Sequence, residues 1–383
     1  MSKGKKTGEQ MIYKPFQDIE LSRLGMGNMR LPAKEGTYGP NALIDWEKSQ
    51  EIIDYAMASG INYYDTAYIY NDGESERFLG DALSGYPRDS YYLATKFYIQ
   101  ATPDPAPVFE EQLRRLKTDH IDFYLLHSLN EENVDDYLNS GCIDYFLEQQ
   151  KAGRIRYFGF SSHANPETLR RFADHHQWDF AQLQLNYFDW QHGTAKDQYQ
   201  ILDERDIPIM VMEPVRGGRL ADLTPDTNAQ LEAKHPEWSI ASWALRFVRD
   251  LPRVQVVLSG MSSMDQIIDN VKTFSDDDPL ADDDRALLTK VCTEFQSQVQ
   301  VPCTACRYCC SECPQEINIP EFLKIYNNYK VDGEWALMEL PNVKTAGQPK
   351  DCIECGACAS HCPQSIDIPV LMKALAEAAD AQQ

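Results

Sequence analysis

Eight of the eleven cysteines stand in two copies of one spacing, Cys-x2-Cys-x2-Cys-x3-Cys-Pro. The first is Cys303, Cys306, Cys309 and Cys313 with Pro314, and the second is Cys352, Cys355, Cys358 and Cys362 with Pro363. Thiolates at this spacing hold [4Fe–4S] clusters, and the fourth cysteine of each run usually serves the cluster of the other. The spacing therefore points to two clusters near the C-terminal end. Zinc sites favour Cys-x2-Cys pairs across a longer spacer instead. A disulfide framework needs an oxidising compartment, and residues 1–14 lack the apolar core of a secretion signal. Cys310 stands beside a ligand and is a candidate to replace one, whereas Cys142 and Cys292 read as plain buried thiols.

A second group of residues has acid–base potential. Tyr70 offers a phenol that can give a proton, Lys96 and Asp65 can tune it, and His127 can orient a carbonyl oxygen. Further polar or small residues are Ser161-Ser162, Gln182, Asn186, Glu213, Arg216-Gly217-Gly218-Arg219 and Ser259-Gly260-Met261-Ser262. Taken singly, each has a plainer role. An aspartate after a strand often caps a turn or helix. A lone tyrosine or histidine is commonly a core residue with its polar tip satisfied. They become a site only if the fold gathers them on one rim.

The elements that would gather them are legible as an alternation. Short apolar runs recur at 62–64, 91–94, 121–126, 155–160, 180–185, 207–212 and 254–258. Amphipathic stretches lie between them, at 46–59, 75–83, 108–116, 144–152, 166–175, 240–248 and 264–271. Such alternation argues for parallel βαβ units. With a first strand near 23–27 the runs number eight, enough to close a (β/α)8 TIM barrel. An open doubly wound sheet is the alternative, but no Gly-x-Gly-x-x-Gly follows the first strand to support it. In a barrel, the polar residues above fall at the C-terminal strand ends, where such folds keep their chemistry.

A chain of 383 residues suits one large domain and one small one. Its 43% hydrophobic content fits a packed core rather than disorder. No apolar run of about 18 residues is present, so no transmembrane helix is expected. The net charge of −23 repels phosphate backbones and anionic surfaces, which argues against nucleic acid and membrane partners. A basic redox protein is compatible with it. Residues 1–14 read as a flexible leader, 15–295 as the barrel and 296–383 as the cluster domain. The stretch between Cys313 and Cys352 reads as largely helical, over 320–329 and 333–340. The lack of a secretion signal points to the cytoplasm.

The segment Gly60-Ile-Asn-Tyr-Tyr-Asp-Thr-Ala-Tyr-Ile-Tyr70, followed by Ser75-Glu76 and Gly80, resembles the signature of aldo-keto reductases. Thr95-Lys96, Leu125-Leu126-His127 and Arg154-Ile-Arg-Tyr-Phe-Gly-Phe-Ser161 are similar to further motifs of that family, in the same order. The likeness spans roughly residues 15–275. The tail resembles the small, mainly α-helical dicluster ferredoxin-like domain of one branch of the family. The resemblance implies an α/β fold, a (β/α)8 TIM barrel with that domain appended. It also implies hydride transfer between NAD(P)H and an aldehyde or ketone, or the corresponding alcohol.

By the same resemblance, Asp65, Tyr70, Lys96 and His127 match the catalytic tetrad. Tyr70 would protonate the carbonyl oxygen, and Lys96, held by Asp65, would lower a phenol pKa of about 10. His127 would stabilise charge on the substrate oxygen. Ser161, Ser162 and Gln182 match contacts to the nicotinamide carboxamide. Met212 falls at the platform under the ring, where the family has an aromatic. Gly217 and Gly218 match the loop around the pyrophosphate, and Asn270 is a further cofactor contact.

Gly260 and Gln266 stand where many members carry cations for the NADP 2′-phosphate. NADP or NAD thus stays open, with Arg216 and Arg219 as other sources of charge. The clusters pose a separate problem. A nicotinamide moves two electrons as hydride, a [4Fe–4S] cluster normally one, and no flavin motif is present to convert between them. Three readings follow: a carbonyl reductase carrying clusters, an electron-transfer module whose barrel docks a redox partner, or clusters that only staple a short domain. Substrate choice would fall to loops 28–40, 97–107 and 128–140, with Tyr38, Phe97 and Tyr98 as a candidate apolar wall.

Overall fold

The computed structural model describes residues 11–35, 37, 42–298 and 300–380. They divide into two compact units. One comprises the described residues of 1–32, 44–214 and 242–285, and the other those of 33–43, 215–241 and 286–383.

The first unit is built on ten strands. β1 (Tyr13–Phe16) and β2 (Ile19–Ser22) form an antiparallel hairpin. The others are β3 (Leu24–Gly27), β4 (Tyr63–Asp65), β5 (Tyr92–Phe97), β6 (Ile121–Leu129), β7 (Ile155–Ser162), β8 (Phe180–Gln184), β9 (Ile209–Met212) and β10 (Val254–Ser259). All eight are parallel neighbours in chain order, and β10 closes on β3 through Val257↔Leu24 and Ser259↔Met26. The expected barrel is therefore present, each strand within a few residues of its apolar run. Helices start where the sequence supplies caps: Asp45 accepts from the Lys48 amide, and Asn165, ahead of Pro166, accepts from the Thr168 amide.

The hairpin fixes which end of the barrel can hold a site. Phe16, Ile19 and Leu21 share one apolar cluster with Tyr63, Phe123, Tyr157 and Phe180, residues at or near the N-terminal ends of their strands. Phe16 meets the Tyr157 ring edge-on at 5.0 Å, and Asp18 in the turn accepts from the Tyr157 hydroxyl and from Arg156. That end is filled with aromatic rings, which leaves the C-terminal ends open. The hairpin also corrects the expected leader. Residues 1–10 lie outside the described residues, but Met11 is buried and Tyr13 already pairs with Ser22, so 11–14 are structured.

The second unit contains an internal duplication. Every ligand of the second cysteine run lies 49 residues after its counterpart, as Cys352 after Cys303. Local structure repeats at the same interval. Short helices Tyr308–Ser311 and Ala357–Ser360 correspond, as do the longer helices Ile319–Asp332 and Ile368–Asp380. Ile319, Phe322 and Leu323 from one copy pack with Ile368, Met372 and Leu375 from the other. The stretch 333–340, expected to be helical, lies within the 3-10 helix Gly333–Asn342, which has Pro341 inside.

The division between units is not the contiguous one expected at 295/296. Helix Asp282–Gln298 runs across that point, and 215–241 groups with the cluster region. The bonds within that unit show why. Arg216 donates to the carbonyls of Pro302 and Cys303, Gln230 bonds Glu294 at 2.7 Å, and the Arg219 guanidinium lies 4.9 Å over the Phe295 ring. Among the described residues, no helix is long and apolar enough to cross a membrane.

Candidate active site

Asp65 ends β4, Lys96 lies near the end of β5 and His127 near the end of β6, so the ladders carry all three to one rim. Lys96 is fully buried and Asp65 nearly so. Lys96 Nζ donates to Asp65 Oδ1 at 2.7 Å, to the Thr66 carbonyl at 2.6 Å and to the Tyr70 hydroxyl at 3.4 Å. A buried ammonium persists only with such partners. Burial pulls Lys96 below its usual range and Asp65 above its own, and each charge opposes the other's shift. Tyr70 opens a tight turn, followed by Asn71 and Asp72 at φ of 50° and 52°. Asn and Asp tolerate that left-handed region better than bulky residues do. The turn sets the Tyr70 ring edge-on to His127, with centroids 5.6 Å apart. Tyr98 also meets His127 at 5.6 Å.

Burial, then the charges of Asp65 and Glu213, raise the Tyr70 phenol well above its usual value, while Arg30 opposes them. Lys96, expected to lower it, bonds Asp65 at the shorter distance and still reaches the phenol hydroxyl at 3.4 Å. Tyr70 is only half-buried, so solvent moderates the rise. His127 is pushed well below its usual range by burial first, then by Lys96 and His163. It is neutral near pH 7.

A polar network that the sequence reading did not single out supports Lys96 from behind. The buried carboxylate of Glu76 accepts from Thr95 (2.6 Å), Gln112 (2.8 Å) and Arg115 (3.0 Å). Gln112 also donates to the Lys96 carbonyl at 3.0 Å and accepts from Tyr124 at 2.6 Å. Glu76 was visible only as part of a motif. Gln112 and Arg115 gave no signal beyond a place on an amphipathic helix.

The proposed nicotinamide contacts separate into groups. Ser161 pairs with Gln182 across β7 and β8, so their side chains share a face, whereas Ser162 pairs with Leu183. Ser161 Oγ accepts from the Ser128 amide at 2.8 Å, and Ser162 Oγ from the Ala164 amide at 3.1 Å. Gln182 Nε2 reaches Met212 Sδ at 3.6 Å. Asn270 donates to Ser259 Oγ at 3.0 Å. Asn28 Oδ1, Asp65 Oδ2, His127 Nδ1 and Gln182 Oε1 are buried without hydrogen-bond partners among the described residues. Buried polar atoms are normally paired, so this rim suits a polar ligand. Of the expected apolar wall, Phe97 is instead core, 5.3 Å from Phe146, and Tyr38 lies outside the described residues. The stem of Arg30 packs over Gly260, 3.4 Å from where a Cβ would stand.

In the second unit the cysteines line two cavities. Cys303, Cys306 and Cys309 share the first with Cys362, and Cys352, Cys355 and Cys358 share the other with Cys313. The fourth cysteine of each run thus crosses to the other run's cavity, and four thiols around each fit a [4Fe–4S] cluster. Cys310 lines neither cavity. Cys142 and Cys292 are buried, as expected. Gly217 and Gly218 lie in the turn Arg216–Gly218 at φ of 67° and 99°. Arg216 is 2% exposed and bonds main-chain carbonyls, which removes it as a phosphate-binding cation.

The profile of the Aldo/keto reductase family matches residues 23–292, and that of the 4Fe-4S dicluster domain residues 302–366. The uncharacterized oxidoreductase YqkF of Bacillus subtilis (strain 168) is 28% identical over 289 residues, covering 67% of this chain and 88% of that protein. The probable aldo-keto reductase 1 of Glycine max is 29% identical, over 58% of this chain and 65% of its own. Among solved structures, the holo form of aldo-keto reductase AKR11C1 from Bacillus halodurans aligns with a TM-score of 0.61 at 28% identity, covering 74% of this chain and 96% of that one. An aldo-keto reductase from Klebsiella pneumoniae in complex with NADPH aligns at 0.58 and 21% identity, over 73% and 95% of the two chains, a likeness of fold alone.

Proposed function

This chain belongs to the aldo/keto reductase family, and from that premise we propose an NAD(P)H-dependent carbonyl reductase, or alcohol dehydrogenase in reverse, that carries two [4Fe–4S] clusters. One observation carries the reading: Lys96 Nζ reaches both Asp65 and the Tyr70 hydroxyl, with His127 edge-on to the same phenol. The NADPH of the Klebsiella structure supports a nicotinamide cofactor. When bound, it would supply the hydride.

This chain's residues would do the rest. Tyr70, protonated near neutrality, gives its proton to the carbonyl oxygen. Lys96 stabilises the phenolate left behind, and Asp65 keeps Lys96 in place. His127, neutral, orients the oxygen by a hydrogen bond. Ser161 and Gln182 take the carboxamide, Met212 packs against the ring, and Asn270 is a further contact. Gly217 and Gly218 take the pyrophosphate. Cys303, Cys306, Cys309 and Cys362 hold one cluster, and Cys352, Cys355, Cys358 and Cys313 the other, supplying one-electron chemistry. A reducing cytoplasm would keep those thiolates available.

A second reading, electron transfer to a docked redox protein, has one observation in its favour. Cys355 is exposed, and Ile353, on the wall of the same cavity, is 60% exposed. It needs a flavin or other mediator between hydride and cluster, so flavin in the purified protein would favour it.

The test uses anaerobically purified holoprotein and a panel of aldehydes and ketones, assayed with NADH and NADPH separately. Tyr70→Phe should lower kcat by about 10²–10⁴ while the cluster absorbance and thermal unfolding stay unchanged. Full turnover in that variant would sink the assignment.

A further inference from the structure

We propose that the ligand loop of the first cluster forms one wall of the nucleotide's phosphate site, with Arg216 as positioning residue and Lys324 as an added phosphate contact. The inference rests on the reading of Gly217-Gly218 as the pyrophosphate loop. All the residues involved belong to the second unit.

Arg216 is an arginine at a phosphate loop that does not face the loop's ligand side. It is buried, at φ 49°, and donates to the Pro302 carbonyl at 3.1 Å and the Cys303 carbonyl at 3.4 Å. Its charge is spent on the main chain of the first cluster ligand. Gly217 follows at φ 67°, where a Cβ would stand 2.1 Å from the Thr304 carbonyl oxygen and 2.9 Å from Ala305 Cβ. Thr304 and Ala305 are the residues between ligands Cys303 and Cys306. The turn and the ligand loop therefore touch backbone to backbone, a contact that no side-chain rotation can relieve. Gly218 differs: at φ 99°, a Cβ there would meet nothing within 4 Å. The turn has one face locked to the cluster loop and one open face.

The open face belongs to a cavity shared by both partners. Gly217, Gly218 and Arg219 line it from the turn, and Cys303, Lys324 and Asn327 from the cluster module. Asn327 stiffens that second wall, accepting from the Val301 amide at 2.7 Å and donating to its carbonyl at 2.9 Å. Of the acidic groups on the cavity, Asp222 accepts from Asn228 and Glu321 pairs with Arg307 at 3.8 Å. Arg219, stacked on Phe295, and the exposed Lys324 are the cations. A dinucleotide phosphate seated on the open face of Gly218 would thus be read by a lysine of the cluster module.

Two consequences follow. The Cys303–Cys306 loop is pinned at both ends when its thiolates are ligated, so cluster assembly stiffens the phosphate turn. Coupling between two sites is reciprocal, so nucleotide binding must also perturb the first cluster.

NADPH titration of holoprotein by fluorescence, with paramagnetic resonance of the dithionite-reduced protein, tests this. Lys324→Ala should raise the NADPH Kd roughly tenfold, the worth of one charge-assisted hydrogen bond, without altering either cluster signal when no nucleotide is present. In the wild type, NADPH should change the signal that disappears in Cys306→Ser and leave the other alone. Arg216→Met should abolish that change. Equal Kd values for wild type and Lys324→Ala, or cluster signals indifferent to NADPH, would overturn the inference. A wild type that binds neither NADPH nor NADH would overturn the pyrophosphate reading, and the inference with it.

Discussion

Lys96 and Cys303 stand at the centre of the two proposed sites and are held in different ways. Lys96 sits in β5, paired through Lys96↔Leu125 to β6, with Asp65↔Ala94 beside it on β4. Main-chain ladders fix its place before any side chain acts. Cys303 sits in 302–307, which has neither helix nor strand. Around the two cysteine runs, Ala305, Arg307, Glu316, Glu354 and Ser365 all have positive φ, between 51° and 71°. Left-handed backbone costs a non-glycine residue roughly 1–2 kcal/mol, so five sum to about 5–10 kcal/mol. That equals the net stability of a whole small domain. The barrel thus places Asp65, Lys96 and His127 from regular structure and leaves Tyr70 to a turn, whereas the second unit holds all its ligands around turns that need something to offset them.

The largest effect expected from this contrast is on removal of iron. Chelation of the anaerobic holoprotein should expose residues 300–380 to proteolysis while the barrel keeps its helical circular dichroism and its unfolding transition. Protection of that region without iron would break the contrast and show that the core of Phe322, Leu323 and Leu375 suffices. The crossed cavities sharpen the same test. Cys362→Ala, though in the second run, should cost the cluster of Cys303, Cys306 and Cys309 and spare the other, as iron content and resonance spectra would report.

Much of the barrel was open to reading from the chain alone, because a buried parallel strand announces itself as an apolar run. Asp65, Lys96 and His127 were legible because each follows such a run by a residue or two, and the cysteines because ligand spacing is local. What depended on distant partners was not legible. Arg216 looked like a phosphate ligand, yet its partners are 86 and 87 residues away. Phe97 looked like a pocket wall, and strand alternation turned it into the core. Tyr13 and Lys14 passed for leader, since the four-residue strand they open carries too little pattern to show a hairpin whose worth lies in the rings of Tyr63, Phe123 and Tyr157.

The barrel should be the unit that responds to acid. Burial lowers His163 from 6.5 to about 4, against the opposing hydrogen bond with Gln184, and His127 is lowered too. A histidine depressed in the fold stabilises it fully above the unfolded pKa near 6.5. That stability is lost as pH falls from there toward the folded value. For His163 the loss approaches about 3 kcal/mol by pH 4, less the share that water reaching its half-buried ring removes. Denaturant midpoints of the barrel at pH 7 and pH 5 should therefore differ less in His163→Gln than in the wild type. An identical pH dependence in the two proteins would mean that the ring is solvated.

The smallest effect tests the turns themselves, inside the duplication. Arg307 and Gly356 are equivalent residues at φ of 71° and 77°, each following the second cysteine of its run. Arg307 accepts the left-handed backbone while its guanidinium bonds Asn318 at 3.2 Å and lies 3.8 Å from Glu321. Gly356 needs no such compensation, and a Cβ there would meet nothing within 4 Å. Gly356→Ala therefore changes backbone preference alone. It should destabilise the cluster unit by about 1 kcal/mol in anaerobic denaturation, with iron content and barrel stability unchanged. Arg307→Gly relieves a similar cost but loses the two polar contacts, so its net effect should be nearer zero. If Gly356→Ala proves neutral, the turns are not strained in the folded protein, and the case for clusters offsetting them fails at its simplest point.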